Sequence, residues 1–124
     1  MNAMGLQTQR HLERFLTLAR VPAMTVTSPL SIAFSDHQLH ITLFLQRLCV
    51  TITAPVQPDE EQMLALFQRA DPERLNGVLV RPCRLTRGVA VSASVADDAS
   101  AERLLMTYRA LLRLLTPWIK IAYR

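Results

Sequence analysis

The spacing of apolar residues changes from helical to strand-like within the first third of the chain. An apolar face with helical spacing comes first, made by Leu12, Phe15, Leu16 and Ala19. This spacing predicts a helix over about residues 5–20, which Pro22 ends. Apolar and polar residues then alternate over residues 30–34, 39–45 and 48–52. Short alternating runs joined by tight turns predict three antiparallel strands in a meander.

Helical spacing returns after the third predicted strand. Pro58 suits the first position of a helix, and the acidic residues that follow it complement the positive end of the helix dipole. The predicted buried face of this second helix is Met63, Leu64 and Phe67. Asp71 and Pro72 then favour a short helical turn that ends before Gly77.

The last part of the chain predicts two more strands and a third helix. Strand character covers residues 78–86 and 89–95, and Pro82 places the first of these strands at an edge or a bulge. Apolar residues between positions 104 and 115 have the spacing of one helix face. The predicted order is α-β-β-β-α-β-β-α, an α+β fold in which helices pack on an antiparallel sheet. We expect a single domain over residues 1–124.

Composition supports a folded domain of ordinary size. Half of the 124 residues are apolar and 19% are charged, unlike a disordered segment. No apolar run approaches the ~20 residues that span a bilayer, so we expect no membrane insertion. The first ten residues lack the features of a signal peptide, which favours a cytoplasmic location.

The charge is positive overall and unevenly distributed. The net charge is +4 and the predicted pI is 9.8, which brings nucleic acid into consideration as a partner. Residues 58–77 contain five acidic and two basic residues, whereas residues 78–96 contain three arginines and no acid. The arginines are not interleaved with aromatic residues, which favours a solvated surface and no nucleic acid. A small nucleic-acid-binding regulator stays open as an alternative.

Residues that carry chemistry are few and scattered. His37 and His40 fall at a turn and on a polar strand face, where surface histidines are expected. Cys49 and Cys83 lie in separate apolar segments, which in a reducing compartment predicts small buried residues rather than a disulfide. Neither has a His or Cys near it at zinc-ligand spacing, and the three glycines are isolated. We therefore predict no enzyme, no metal and no cofactor.

Two features exceed what folding alone requires. The strand with Pro82 has an edge that must be covered, and the residues after the last helix remain apolar. The tail can pack within the chain or form an interface, and the pattern does not separate these alternatives. The candidate partner-binding residues are Val78, Val80, Leu85, Trp118, Ile119 and Ile121.

Several segments match the pattern of a known family. They are RFLTLA (residues 14–19), MLAL (63–66), PERLNG (72–77) and LTRGVAVS (85–92), together with Glu102, Leu104 and Leu105. With the order of elements, these segments resemble the small chaperones of bacterial type III secretion. Within that family the chain is most similar to the SsaM-like proteins that associate with a gatekeeper.

The resemblance implies a non-catalytic cytoplasmic protein that binds other proteins. In the gatekeeper-associated branch, the small protein joins a gatekeeper and a second small secretion component and controls the order of substrate export. In the effector chaperones, a homodimer holds an extended segment of an effector. Effector chaperones are usually acidic and this chain is basic, which favours the gatekeeper-associated branch. A homodimer and the effector-chaperone role stay open.

Overall fold

The computed structural model describes residues 4–22, 24–75 and 77–119. Its helices and strands are α1 (Leu6–Leu18), β1 (Leu30–Ala33), β2 (Gln38–Phe44), β3 (Arg47–Ala54), α2 (Glu60–Arg69), β4 (Arg81–Leu85), β5 (Gly88–Ala96) and α3 (Ala101–Leu114). A 3-10 turn over Pro72–Leu75 lies between α2 and β4, where a short turn was expected. The predicted α+β class and the predicted order of elements are confirmed.

The sheet has five strands in the order β1-β2-β3-β5-β4, and all neighbouring strands are antiparallel. The first three strands form the predicted meander. The chain then passes from β3 through α2 to β4, and β5 returns between β3 and β4. β4 therefore lies at one edge of the sheet, as the presence of Pro82 predicts.

One face of the sheet forms the core with the helices. Alternate side chains are buried along β2, β3 and the second half of β5, because successive residues of a strand point to opposite faces. Leu39, Ile52 and Val91 lie in one such row across the three strands. α3 contacts β3, β5 and α1. The rings of Phe15 on α1 and Tyr108 on α3 meet edge to face at 5.8 Å.

The opposite face of the sheet carries small polar side chains. The paired residues in one row are Ser31, His40, Thr51, Ser92 and Arg81. The hydroxyl groups of Thr51 and Ser92 lie 2.9 Å apart. All five side chains in this row are exposed or half-buried, so this face has little of the apolar surface that holds the helices.

The predicted buried face of α2 is wrong in two of its three residues. Met63 is buried as predicted, but Leu66 is the other buried residue of α2, whereas Leu64 and Phe67 are 59% and 55% exposed. Both sets have helical spacing, so periodicity alone cannot select the face that enters the core. The helix starts two residues later than Pro58 suggests, because Asp59 is its N-cap and forms a capping box with Gln62.

The prediction of a surface histidine is wrong for His37. Its side chain is 2% exposed, and its Nδ1 lies 2.7 Å from Asp36 Oδ1. Its Nε2 lies 3.2 Å from the Tyr108 hydroxyl, and its ring stacks on Phe34 with centroids 4.5 Å apart. His37 thus joins the turn between β1 and β2 to α3, which explains why a turn residue is buried.

Replacing His37 by Ala is expected to lower the free energy of unfolding by about 2–4 kcal/mol, because it leaves a cavity and removes two hydrogen-bond partners. Urea denaturation followed by circular dichroism measures this change. His40→Ala is the matched control, since His40 is half-buried on the polar face of the sheet. Its expected cost is below about 1 kcal/mol. Equal costs for the two variants would contradict the structural role of His37.

Candidate protein-binding surfaces

The free edge of β4 is a candidate site because no described strand pairs with it on the side away from β5. Four of its five residues are exposed and Pro82 is half-buried. An unpaired edge presents backbone N–H and C=O groups to which another chain can add. Proline and arginine limit non-specific pairing along this edge, since Pro82 lacks an N–H and Arg81 and Arg84 carry charge.

The structure places three of the predicted contact residues around β4, in different environments. Leu85 is 41% exposed at the end of the strand. Val80 is half-buried just before it. Val78 lies outside the strand, which begins three residues later than predicted, and is only 4% exposed. Its backbone N–H donates to the carbonyl of Leu75 at 3.1 Å. Val78 therefore offers little side-chain surface to a partner.

The three tail residues form a separate group after α3. Trp118 is half-buried against the core and Ile119 is 5% exposed within it. Their backbone N–H groups donate to the carbonyl of Leu115 at 2.9 and 3.0 Å, which holds both residues in a turn. Ile121 lies outside the described residues. Contact of this tail with a partner stays a prediction, and most of the described part packs within the chain.

The exposed side of α2 is a candidate surface that the sequence pattern did not identify. Leu64 and Phe67 lie three residues apart and therefore on the same side of the helix. α2 packs beside β4, so these side chains and the free edge lie at the same end of the sheet. We call Leu64, Phe67, Leu85 and the edge of β4 the α2–β4 surface. The sequence did contain a signal for this surface, because α2 has apolar residues on two of its sides. A helix that packs against the core on one side needs apolar residues on that side only.

The two elements of this surface carry charges of opposite sign. Glu60 and Glu61 are exposed in the first turn of α2, and Arg81 and Arg84 are exposed on β4. Charges of both signs around an apolar centre give a protein partner a defined orientation and discriminate against wrong partners. The arrangement therefore suits protein binding better than it suits a uniform polyanion.

The described residues offer little chemistry beyond binding. Across residues 4–22, 24–75 and 77–119, no three His, Cys, Asp or Glu side chains are grouped so that they could hold a metal ion. The two thiols are free, but the prediction that both are buried is wrong, because Cys49 is half-buried and Cys83 is exposed. Both lie on the polar face of the sheet, where small side chains need not enter the core. None of the described helices has the length and apolar character needed to cross a membrane.

Comparison with known families gives one match over most of the chain. The SsaM family model matches residues 5–117. That range includes every element of the fold, from α1 to α3. No curated protein has a significant sequence match to the chain.

Solved structures with the same fold include a type III secretion chaperone. A chain of the ExoT–SpcS complex from Pseudomonas aeruginosa is 11% identical, with a TM-score of 0.66 over 94% of this chain and 100% of that one. A chain of the Yersinia pestis chaperone SycH complex with a YscM2 fragment is also 11% identical, with a TM-score of 0.65 over 90% and 99% of the two chains. A chain of the ExsC–ExsE complex is 20% identical, with a TM-score of 0.65 over 93% and 94%. These likenesses show the fold.

Proposed function

The chain belongs to the SsaM family and has the fold of type III secretion chaperones, and on that premise we propose that it is a non-catalytic, cytoplasmic protein-binding subunit of a type III secretion system. Its partners in this proposal are a gatekeeper protein and a second small secretion component. The complex would control the order in which substrates are exported.

One observation carries the proposal: a strand edge with which no described strand pairs lies beside a helix with two large exposed apolar side chains. Leu64 and Phe67 are each more than half exposed, and large apolar residues are the usual centres of binding energy at protein interfaces. α2 begins with exposed acidic residues, and the neighbouring strand β4 carries exposed arginines. The similar solved structures support this reading, because each is a complex of two named proteins, one of which is a type III secretion chaperone in the SycH case.

The basic charge of the chain supports the gatekeeper branch of the proposal. Its net charge is +4, whereas the effector chaperones that it resembles are usually acidic. A homodimeric effector chaperone is the alternative within the same fold. The two differ in their tight partner, which is a gatekeeper with a second small protein in one case and the N-terminal segment of an effector in the other.

Affinity purification of the tagged protein from its native host, with the secretion system expressed, tests the proposal. Mass spectrometry identifies the proteins recovered, and light scattering gives the mass and stoichiometry of the complex. We expect a gatekeeper and one further small secretion component in a complex larger than the 14.0 kDa chain.

Other results of this purification select other readings. An effector recovered alone, with two copies of the chain, would select the effector-chaperone alternative. The absence of any secretion protein in cells that express the system would refute the proposed function and leave the fold unaffected.

A further inference from the structure

A groove on the polar side of the sheet lies where β5 extends beyond β4. β4 begins at Arg81, which pairs with Ser92, whereas β5 continues to Ala96. The last four residues of β5 therefore have no β4 neighbour. The groove beside them has a volume of about 670 Å³ and is bounded by Leu79 and Val80 on one side. Leu79 is 74% exposed, the largest exposed fraction among the exposed large apolar residues of the described chain.

The charged side chains that line this groove are both arginines. They are Arg47 on β3 and Arg81 on β4. The guanidinium group of Arg47 is held in place, because its Nε donates to Ser94 Oγ at 3.1 Å. Its Nη2 donates to the Ser94 carbonyl at 3.1 Å and to Ser94 Oγ at 2.8 Å. A cation fixed in this way loses little further conformational freedom when an anion binds to its remaining donors.

No carboxylate neutralises these two arginines among the described residues. Asp71 lies in sequence between two residues of the groove wall, Ala70 and Pro72. Its Oδ1 accepts a hydrogen bond from the backbone N–H of Glu73 at 3.0 Å, so it caps the 3-10 turn. Arg47 and Arg81 have no ion pair in the described chain. The groove is therefore positive at two points and partly apolar between them.

The separation of the arginines defines the ligand that fits. Arg81 pairs with Ser92 on β5, whereas the guanidinium group of Arg47 is hydrogen-bonded to Ser94, two residues further along β5 and hence about 7 Å along the strand. In an extended chain, side chains at i and i+2 point to the same side and cover that distance. The end of β5 that has no β4 neighbour favours an extended segment over a helix, because it presents backbone groups to which a strand can add.

We propose that this groove binds an extended acidic segment of a partner protein, with carboxylates two residues apart on Arg47 and Arg81 and an apolar side chain on the same side of the segment against Leu79 and Val80. The inference deepens the proposed function, on which it rests for the origin of the segment. A polypeptide fits better than single-stranded nucleic acid, because the described lining contains no aromatic side chain for base stacking.

The two thiols of the chain make the test specific. Cys49 lines the groove, whereas Cys83 lies on β4 opposite Ala90 and outside it. In the Cys83→Ser variant, the rate of maleimide labelling reports the occupancy of the groove. The probe is the capped heptapeptide Ser-Val-Thr-Glu-Thr-Glu-Ser, and its control has Gln in place of both Glu residues.

We expect the Glu peptide to slow labelling of Cys49 and to bind at least about fivefold more tightly than the Gln peptide at low salt. Arg81→Gln should weaken the Glu peptide by about fivefold, because it removes one charged contact. Arg84→Gln is the matched control, since Arg84 is also exposed on β4 but does not line the groove. Its effect should be within about twofold, because it removes an equal charge that lies outside the groove.

Several results would overturn the groove inference. They are unprotected Cys49 at the highest peptide concentration, equal affinity for the two peptides, and equal effects of Arg81→Gln and Arg84→Gln. A deoxythymidine oligonucleotide could instead protect Cys49 better than the Glu peptide does, and lose this effect in Arg81→Gln. That result would show that the groove binds nucleic acid and not an acidic peptide.

Failure of this inference and failure of the proposed function give different results. In the complex purified from the host, the Cys49→Ser variant reports through Cys83 whether a partner covers β4. If Cys83 is protected in the complex but the peptide does not protect Cys49, the groove inference is refuted and the proposed function still stands. If the Glu peptide protects Cys49 but no secretion protein is recovered from the host, the groove inference stands and the proposed function is refuted.

Discussion

Replacing Leu64 and Phe67 together by Lys is expected to lower the affinity for the secretion partner by about a hundredfold, because central apolar contacts dominate binding energy at interfaces. The two residues are 59% and 55% exposed, so their replacement removes little packing within the chain. Lys is a good helix former, and Lys at position 64 lies four residues after Glu60, which favours the helix. The free energy of unfolding should therefore change by less than about 0.5 kcal/mol.

The matched control for this variant is Leu6→Lys. Leu6 is 63% exposed at the start of α1, so the same chemical change occurs at equal exposure on another helix. Binding to the immobilised partner complex, measured by surface plasmon resonance, should be within about twofold of wild type for this control, as for exposed residues outside an interface. Equal losses of affinity for the double variant Leu64→Lys, Phe67→Lys and for Leu6→Lys would show that the α2–β4 surface is not the binding site.

The strand part of the fold was predictable because burial on one face leaves a period of two in the sequence. β2 and β3 alternate buried and less buried residues along almost their whole length. The edge position of β4 was predictable from a single residue, because Pro82 lacks an N–H group and proline is therefore found mainly in edge strands. The turn between β2 and β3 was less evident, because Leu45 and Gln46 both have positive φ, at 49° and 64°. Asn and Gly are the residues expected there.

The helical part of the candidate site was not predictable in the same way. α2 has apolar residues on two sides, and only tertiary packing decides that Met63 and Leu66 enter the core. The resulting exposure of Leu64 and Phe67 is therefore a property of the folded chain. His37 is similar, because its burial depends on Tyr108, which lies 71 residues away in the sequence. Spacing along a chain does not record which distant element will cover a turn.

The groove combines residues that no sequence window brings together. Arg47 and Arg81 lie on β3 and β4, the two strands that flank β5. Seen within its own strand, each is simply an exposed charged residue of the kind found on most protein surfaces. Arg81 and Arg84 are three residues apart and therefore lie on opposite faces of β4, so this strand alone forms no basic face. The structure forms a basic pair from different strands instead, because β5 extends four residues beyond the start of β4.

Adding one methyl group at Gly88 is expected to lower the free energy of unfolding by about 3 kcal/mol and the melting temperature by roughly 10 °C. Gly88 is buried at the start of β5, and a Cβ atom there would overlap the backbone carbonyl oxygen of Ala54. That carbonyl is fixed, because it accepts a hydrogen bond from the N–H of Val56 at 2.9 Å. Ala54 also pairs with Val89 across β3 and β5. Calorimetry and urea denaturation of Gly88→Ala measure the loss.

Gly5→Ala is the control for this substitution, because no atom lies within 4 Å of a Cβ added at Gly5. Its cost should stay below about 1 kcal/mol, the usual price of Ala at an N-cap. Similar stabilities of the two variants would contradict the close contact at Ala54.

The contact at Gly88 also has a consequence for binding. Gly88 pairs with Leu85 and so closes the hairpin that holds β4 at the edge of the sheet. If the α2–β4 surface binds the partner, Gly88→Ala should weaken binding even at temperatures where the variant is folded, because the clash displaces the hairpin. Hydrogen exchange distinguishes a displaced hairpin from a general loss of stability. If the hairpin is displaced, the amides of β4 and β5 should lose protection before those of β2. Unchanged binding with a displaced hairpin would restrict the interface to α2.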